Sequence, residues 1–210
     1  MDIVDLGTPF GLAFASGLNA YLPLLAFAVS VRWLHLYKVN PSFSFITQTW
    51  FIVALAILTI LDFVADKIPL IDHAWNAIHT VVRPLAGALV AVAAGSHSIS
   101  GIHIAARSSD AAARTVIAAS IIPVTGVGLL IILLLIGGVL AALSHTTKST
   151  TRLVSTITTA GFLNIVLSFL EDVLVFIAIL LSLFVPVVML ILLVLFVLIV
   201  GPRLMRIWKR

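Results

Sequence analysis

Apolar residues run along this chain in long blocks that are separated by short polar segments. A helix needs about 20 mostly apolar residues to cross a bilayer, and six blocks approach or exceed that length. The blocks lie at about residues 9–31, 49–65, 84–106, 113–143, 153–183 and 184–200. The pattern predicts an all-α polytopic membrane helix bundle of about six spans, with residues 1–210 forming one integral membrane domain.

Two of the predicted spans contain residues that interrupt helices. Gly17, Asn19 and Pro23 lie together in the first block, and Gly161 precedes Asn164 in the fifth. Proline removes a backbone donor and glycine frees the backbone, so we expect broken or kinked helices at both places.

Two other segments bear on where the spans begin and bend. Residues 72–83, DHAWNAIHTVVR, carry apolar residues at helical spacing, which predicts an amphipathic interfacial helix before a span that starts at Pro84. The fourth block would be roughly 45 Å long as one helix, so we expect a break, tilt or kink at PVTGVG, residues 123–128.

The two predicted breaks resemble each other. Residues 15–23 and 159–168 both place small residues and a glycine just before an asparagine inside an apolar run. Many transporters consist of two related halves in opposite orientation. The similarity predicts an inverted repeat with halves at about residues 1–106 and 107–210, and chance similarity is the alternative.

Composition supports a membrane location. Apolar residues make up 62% of the chain and charged residues 10%, against roughly 45–50% and about 25% in soluble domains. These totals argue against a free soluble enzyme and against a disordered chain. The absence of cysteine excludes disulfides and thiolate chemistry.

Basic residues are scattered singly except for four near the C-terminus, which fits orientation in an anionic membrane and gives no basis for nucleic-acid binding. A six-span chain puts its larger group of Lys and Arg on the side of both termini, so we expect cytoplasmic termini. Five spans with an external N-terminus is the alternative.

Polar side chains inside spans are the main functional signal, because a central charge costs about 2.5–3.5 kcal/mol on insertion scales. Asp62 and Asp66 share a helix face, and Glu171 and Asp172 follow Asn164 by two turns. Close carboxylates favour retention of a proton, which suits coupling to protons or cations. The expected substrate or ion site comprises Asn19, Asp62, Asp66, Arg83, Asn164, Glu171 and Asp172, with helix breaks at Gly17, Pro23 and Gly161.

Each of these residues also has a structural interpretation. Asp66 can simply end a helix, Asp62 can pair with an arginine, and Glu171 can pair with Arg83 or Arg152. The asparagines can act as interhelical hydrogen-bonding groups. Neither metal-ligand spacing nor a GxSxG turn is present in the sequence, so we predict no metal, no cofactor and no catalytic residue.

Four motifs resemble a family of small bacterial integral membrane proteins that is classed as a domain of unknown function. They are GLNAYLPLL at 17–25, DxxxDKIPxxD at 62–72, WxxxHTxxRPxAGA at 75–88 and GFLN…SxxED at 161–172. The resemblance implies a multi-span fold in the bacterial inner membrane and no settled activity. It places Asn19, Asp62, Asp66, Lys67, Asp72, Arg83, Asn164, Glu171 and Asp172 on motif positions.

These observations favour a small secondary transporter or permease, which acts on an unknown solute and is coupled through intramembrane carboxylates. We expect it to contact membrane lipids. We also expect a homodimer, because six helices are few to enclose a pathway for a solute. A lipid flippase or scramblase and a non-catalytic scaffold or assembly protein are the alternatives.

Overall fold

The computed structural model describes residues 6–66, 69–105, 112–159 and 162–208, with side chains described for residues 6–66, 75–96, 128–159 and 162–203. Every regular element in these ranges is helical. The helices are α1 (Gly7–Ser16), α2 (Leu22–Arg32), α3 (Thr49–Ala65), α4 (Pro69–Ala105), α5 (Ala112–Thr159), α6 (Phe162–Phe184) and α7 (Pro186–Trp208), with a 3₁₀ helix at Pro41–Thr47 before α3.

Four stretches are long and apolar enough to cross a membrane, and they lie in α4, α5, α6 and α7. The 3₁₀ helix and α3 form a fifth candidate span that is bent by 56°. The predicted all-α polytopic bundle is therefore confirmed. In the described residues the candidate spans number four by length and composition, or five with the bent pair, against the expected six or so.

The first predicted span is divided into two short helices. At 10 and 11 residues, α1 and α2 are each about 15 Å long, roughly half the thickness of the hydrocarbon core. Between them the Asn19 Oδ1 accepts hydrogen bonds from the backbone N–H groups of Tyr21 and Leu22 at 3.1 and 2.9 Å. Pro23 occupies the first turn of α2, where its missing N–H group is not needed.

The prediction of a separate interfacial helix was wrong. The segment at residues 72–83 is not a separate interfacial helix, because α4 runs through it and through Pro84 without interruption. Proline is tolerated inside a membrane helix when neighbouring groups satisfy the freed carbonyl. The backbone of α5 is helical through residues 123–128, so the expected break does not occur there, while the tilt or kink stays a prediction.

Small residues bring α4 and α5 close together. A Cβ added to Gly87 would lie 3.0 Å from the Gly137 carbonyl oxygen, and one added to Gly137 would lie 2.8 Å from the Gly87 carbonyl oxygen. Helix pairs in membranes commonly approach through such residues. Against this pair packs α1, which is buried along almost its whole length. Large apolar side chains of α6 and α7, such as Phe169 and Leu198, point outward, as expected for helices in lipid.

Candidate functional site: a buried network of acids and bases

Three carboxylates and three cations converge inside the bundle. Their side chains are at most 11% exposed, and their formal charges cancel. Four helices contribute them: Asp62 and Asp66 from the end of α3, Arg83 from α4, Lys148 and Arg152 from α5, and Glu171 from α6. We refer to these six residues as the buried ion network.

Asp62 lies at one end of the network and is fully buried. Its Oδ1 accepts a hydrogen bond from the Trp75 Nε1 at 2.8 Å. The His79 Nε2 lies 3.5 Å from the same oxygen, and the Arg83 Nη2 lies 3.7 Å from it. The Asp62 Oδ2 has no hydrogen-bond partner among the described residues. This carboxylate is therefore only partly satisfied.

Asp66 is the centre of the network. It lies one residue beyond the end of α3, and its Oδ2 accepts hydrogen bonds from the Lys148 Nζ at 2.5 Å and from the Arg152 Nη2 at 3.3 Å. The Arg83 Nη2 lies 3.8 Å from its Oδ1. Burial raises the pKa of this carboxyl, but the three cations together outweigh burial and hold the pKa below its ordinary value. Asp66 is therefore ionised at neutral pH.

Glu171 and Arg152 form a two-point ion pair between α5 and α6. The Arg152 Nη2 donates to the Glu171 Oε2 at 2.6 Å, and the Arg152 Nε donates to its Oε1 at 3.4 Å. The Lys148 Nζ lies 3.3 Å from the same Oε2. Paired geometry of this kind is among the strongest side-chain interactions. It matches the ion pair that the sequence offered as the structural interpretation of Glu171.

Two histidines flank the network, and their contacts indicate which ring nitrogen of each donates or accepts. The His145 Nδ1 lies 3.1 Å from the Arg83 Nη1, which can only donate, so this nitrogen accepts. The His145 Nε2–H then points to the Thr80 Oγ1 at 3.4 Å. The His79 Nδ1 donates to the Trp75 carbonyl oxygen at 2.8 Å, which turns its Nε2 towards Asp62.

The break between α1 and α2 contributes backbone acceptors. The Gly17 carbonyl oxygen accepts from the Arg83 Nη1 at 3.5 Å, and the Leu18 carbonyl oxygen accepts from the Lys148 Nζ at 3.0 Å. The end of a helix leaves such carbonyls unpaired, and cations there are favourable. Gly17 is needed for close approach, because an added Cβ would collide with Ser144 and with the backbone of α5.

The remaining predicted site residues lie farther along α6 or outside the described residues. Asn164 is two turns from Glu171, and its Nδ2 donates to the Thr156 Oγ1 at 2.9 Å. Asp172 is half-buried beside Glu171. Gly161 and Lys67 fall outside the described residues, as does the side chain of Asp72. The structure therefore brings Asp62, Asp66, Arg83 and Glu171 into one network, places Asn19 in the adjoining helix break, and puts Asn164 apart from it.

Four participants were not predicted as site residues, namely His79, His145, Lys148 and Arg152, although Arg152 was named as a possible partner of Glu171. The sequence carries a signal for the three residues on α5. Residues 144–152, SHTTKSTTR, are polar at every position within an otherwise apolar helix, and residues 145, 148, 152, 155 and 159 recur at the spacing of one helix face. Among the described residues, no group of three His, Asp or Glu side chains is arranged to hold a metal ion.

Comparison with known protein families identifies the chain. A family model described as Domain of unknown function (DUF4126) matches residues 6–109 and residues 99–206. The chain belongs to this family. The resemblance that the four motifs predicted is thus confirmed for a domain of unknown function, and the family supplies no activity. No curated protein and no solved structure matches the chain.

Proposed function

We propose that this member of the DUF4126 family is a small secondary transporter in which the buried ion network couples solute movement to protons. One observation carries the proposal, namely the arrangement of Asp62 and His79 at the end of a network whose six formal charges sum to zero. Both side chains are fully buried. The proposal assigns no catalytic residue.

The Asp62–His79 pair is arranged to accept one proton. Because the His79 Nδ1 donates to the Trp75 carbonyl oxygen, neutral His79 directs the lone pair of its Nε2 at the Asp62 Oδ1, 3.5 Å away. Two acceptors then face each other. A proton bound between them would replace repulsion with a charge-assisted hydrogen bond, and it would change the formal charge of the network from zero to +1.

A protonation change at Asp62 would alter the contacts between the helices that the network joins. Arg83 contacts Asp62, Asp66, His145 and the Gly17 carbonyl oxygen, so it connects the end of α3 to α5 and to the α1–α2 break. Neutralising Asp62 would weaken one of these contacts and leave the others. Transporters commonly use such a switch between alternative pairings near a broken helix to move between open states.

A purely structural role explains the network less well. Removing six charges from water is costly, and apolar residues of similar volume often stabilise a fold as much or more. Ionisable residues inside a membrane most often mark ion or proton pathways. A non-transporting scaffold remains the reference against which the proposal is tested, since every carboxylate of the network has at least one cationic partner.

Reconstituted protein tests the proposal directly. Vesicles that contain the pH dye pyranine would be exposed in turn to pools of amino acids, sugars, organic acids and inorganic cations, and the internal pH would be followed. At least one pool is expected to drive a pH change. Asp62→Asn keeps an acceptor for Trp75 but removes the charge, so it is expected to abolish that change.

His79→Gln is expected to do the same, and its matched control is His35→Gln, which alters an exposed histidine in the loop after α2. The proposal is overturned if no pool moves protons, or if Asp62→Asn and His79→Gln leave the flux and its pH dependence intact. If both variants only lower thermal stability, the scaffold interpretation holds instead.

One observation favours lipid handling as a second candidate. An apolar groove of about 340 Å³ runs between α1, α5, α6 and α7, with Ser144 and Thr147 at its lining beside the network residue Lys148. Its volume suits part of an acyl chain. Transfer of fluorescent phospholipid between leaflets by the purified protein, without solute-driven pH changes, would favour this function over solute transport.

The proposal also includes a homodimer, because four or five spans enclose little space by themselves. The oligomeric state in detergent is measurable by light scattering with correction for bound detergent. A strictly monomeric and active protein would remove this part of the proposal alone.

A further inference from the structure

A second group of buried polar side chains lies between α5 and α6. The Ser155 Oγ, the Ser168 Oγ and the Asn164 Oδ1 are buried, and none has a hydrogen-bond partner among the described residues. Ser155 is 6% exposed and Ser168 is fully buried. We refer to Ser155, Ser168 and Asn164 as the hairpin polar stripe.

The hairpin polar stripe continues the line of the Arg152–Glu171 ion pair. Ser155 follows Arg152 by three positions in α5, while Ser168 precedes Glu171 by three in α6, so both lie on the faces that carry the ion pair. Contacts above and below the serines hold the two helices together. Arg152 binds Glu171 on one side, and Asn164 binds Thr156 on the other. The stripe therefore leads from the ion pair towards the end of the α5–α6 hairpin.

The serine hydroxyls differ from nearby hydroxyls in the same helices. The Thr156, Thr158 and Thr159 hydroxyls each donate to a carbonyl oxygen four positions earlier, and so does Ser182. This local bond is the usual way for a hydroxyl in an apolar helix to satisfy itself. Ser155 and Ser168 do not make it, although the geometry of the helix offers it to them.

Unpaired polar atoms in an apolar interior are costly, because they lose the hydrogen bonds that they make with water in the unfolded chain. Water is the usual partner of such atoms, and a buried water makes about three hydrogen bonds to groups that would otherwise be unpaired. Three unpaired oxygens on two facing helices supply the partners that a short chain of waters needs.

We propose that water occupies the hairpin polar stripe and connects the Arg152–Glu171 ion pair with the aqueous phase at the α5–α6 end of the molecule. The inference rests on the proposed function, because it supplies the route by which the buried ion network exchanges protons with one side of the membrane. It assigns Ser155, Ser168 and Asn164 as route-lining residues, with half-buried Asn164 at the outer end.

The chain contains no cysteine, so single cysteines report on water without any background. Ser168→Cys and Ser155→Cys replace one small side chain by another of nearly the same shape. A charged methanethiosulfonate reagent attacks only thiolates and does so only where water reaches them. The reagent would be applied to reconstituted, folded protein from each side of the membrane in turn, and labelling would be followed by mass.

Three controls bracket the result. Val175→Cys lies one turn beyond Glu171 on the same buried face of α6, Phe169→Cys points to lipid, and Ser44→Cys lies exposed in the 3₁₀ helix. We expect Cys at positions 168 and 155 to react at least about tenfold faster than Cys at positions 175 and 169, and from one side only.

Two results would overturn the inference: reaction at 168 and 155 as slow as at 175 in folded protein, or equal reaction from both sides. The two serines lie on different helices, so one variant carries the test if the other fails to fold. Labelling needs no transport. One-sided labelling without proton-coupled flux therefore refutes the proposed function and leaves the water route, and the reverse pattern refutes only the route.

Discussion

The buried ion network predicts that losing an opposite pair of charges costs less than the two single losses added together. Arg152 and Glu171 are 7% and 11% exposed, and their closest atoms are 2.6 Å apart. Arg152→Met leaves Glu171 and Asp66 short of a cation, and Glu171→Gln leaves an unmatched cation. Breaking a buried pair from one side costs about 3–5 kcal/mol, which lowers the folding equilibrium constant by about two to three and a half powers of ten.

The double variant restores the balance of charge. With Arg152→Met and Glu171→Gln together, two acids and two bases remain in the network, so the cost should fall short of the sum of the single costs. Directly contacting groups couple by about 0.5–3 kcal/mol, and a two-point pair belongs at the upper end of that range.

Unfolding in mixed micelles by increasing SDS, followed through tryptophan fluorescence, measures these free energies. Arg203→Met is the matched control, because Arg203 is exposed on α7 and its change should stay within about 0.5 kcal/mol. Strictly additive single effects would refute the reasoning, since they would mean that each charge is stabilised by itself and not by the balance of the network.

Three further predictions concern packing, helix capping and pH. Gly87→Ala should cost about 1–3 kcal/mol in the same assay, because its Cβ would collide with the Ala141 Cβ and would press on the Gly137 carbonyl oxygen. Gly201→Ala has open space and should be neutral or slightly stabilising. Asn19→Ala should cost about 1 kcal/mol, because α2 loses the acceptor of two backbone N–H groups, and an unchanged midpoint would contradict this role. The pKa of Asp66 is held below its ordinary value of 3.8. The loss of stability in Asp66→Asn should therefore be greatest above about pH 3.8 and should shrink as the pH falls further. A loss of stability that grows towards acid pH would contradict this prediction.

Long apolar runs made the helices and the membrane location predictable. The ends of the helices were harder to predict, because they depend on whether the polar residues contact water or other helices. The mixed polarity of residues 72–83 predicted an interfacial helix. His79 and Arg83 are nevertheless buried, and they contact polar side chains of other helices. The same segment therefore continues α4 inside the bundle. Only tertiary contacts decide whether a polar face meets water or a partner.

The network was predictable in its acids and less so in its bases. Asp62 and Asp66 stand out because they share a face four residues apart, and local spacing is enough to find them. Lys148 and His145 are about 80 residues away from those acids along the chain, so their proximity follows from the packing of α3 against α4 and of α4 against α5. A break in the first block was expected from Gly17, Asn19 and Pro23, and the use of its carbonyls by Arg83 and Lys148 required the fold.

The order of charges along the buried ion network has a consequence for biogenesis. Counted from the N-terminus, the network charge is negative after α3, still negative after α4, positive once α5 has been made, and zero only when α6 supplies Glu171. A growing chain therefore has no neutral stopping point in lipid before α6 is synthesised. The earlier helices must therefore stay in contact with the insertion machinery, or with one another, until Glu171 has been synthesised. A chain truncated before α6 should be recognised as unassembled and degraded.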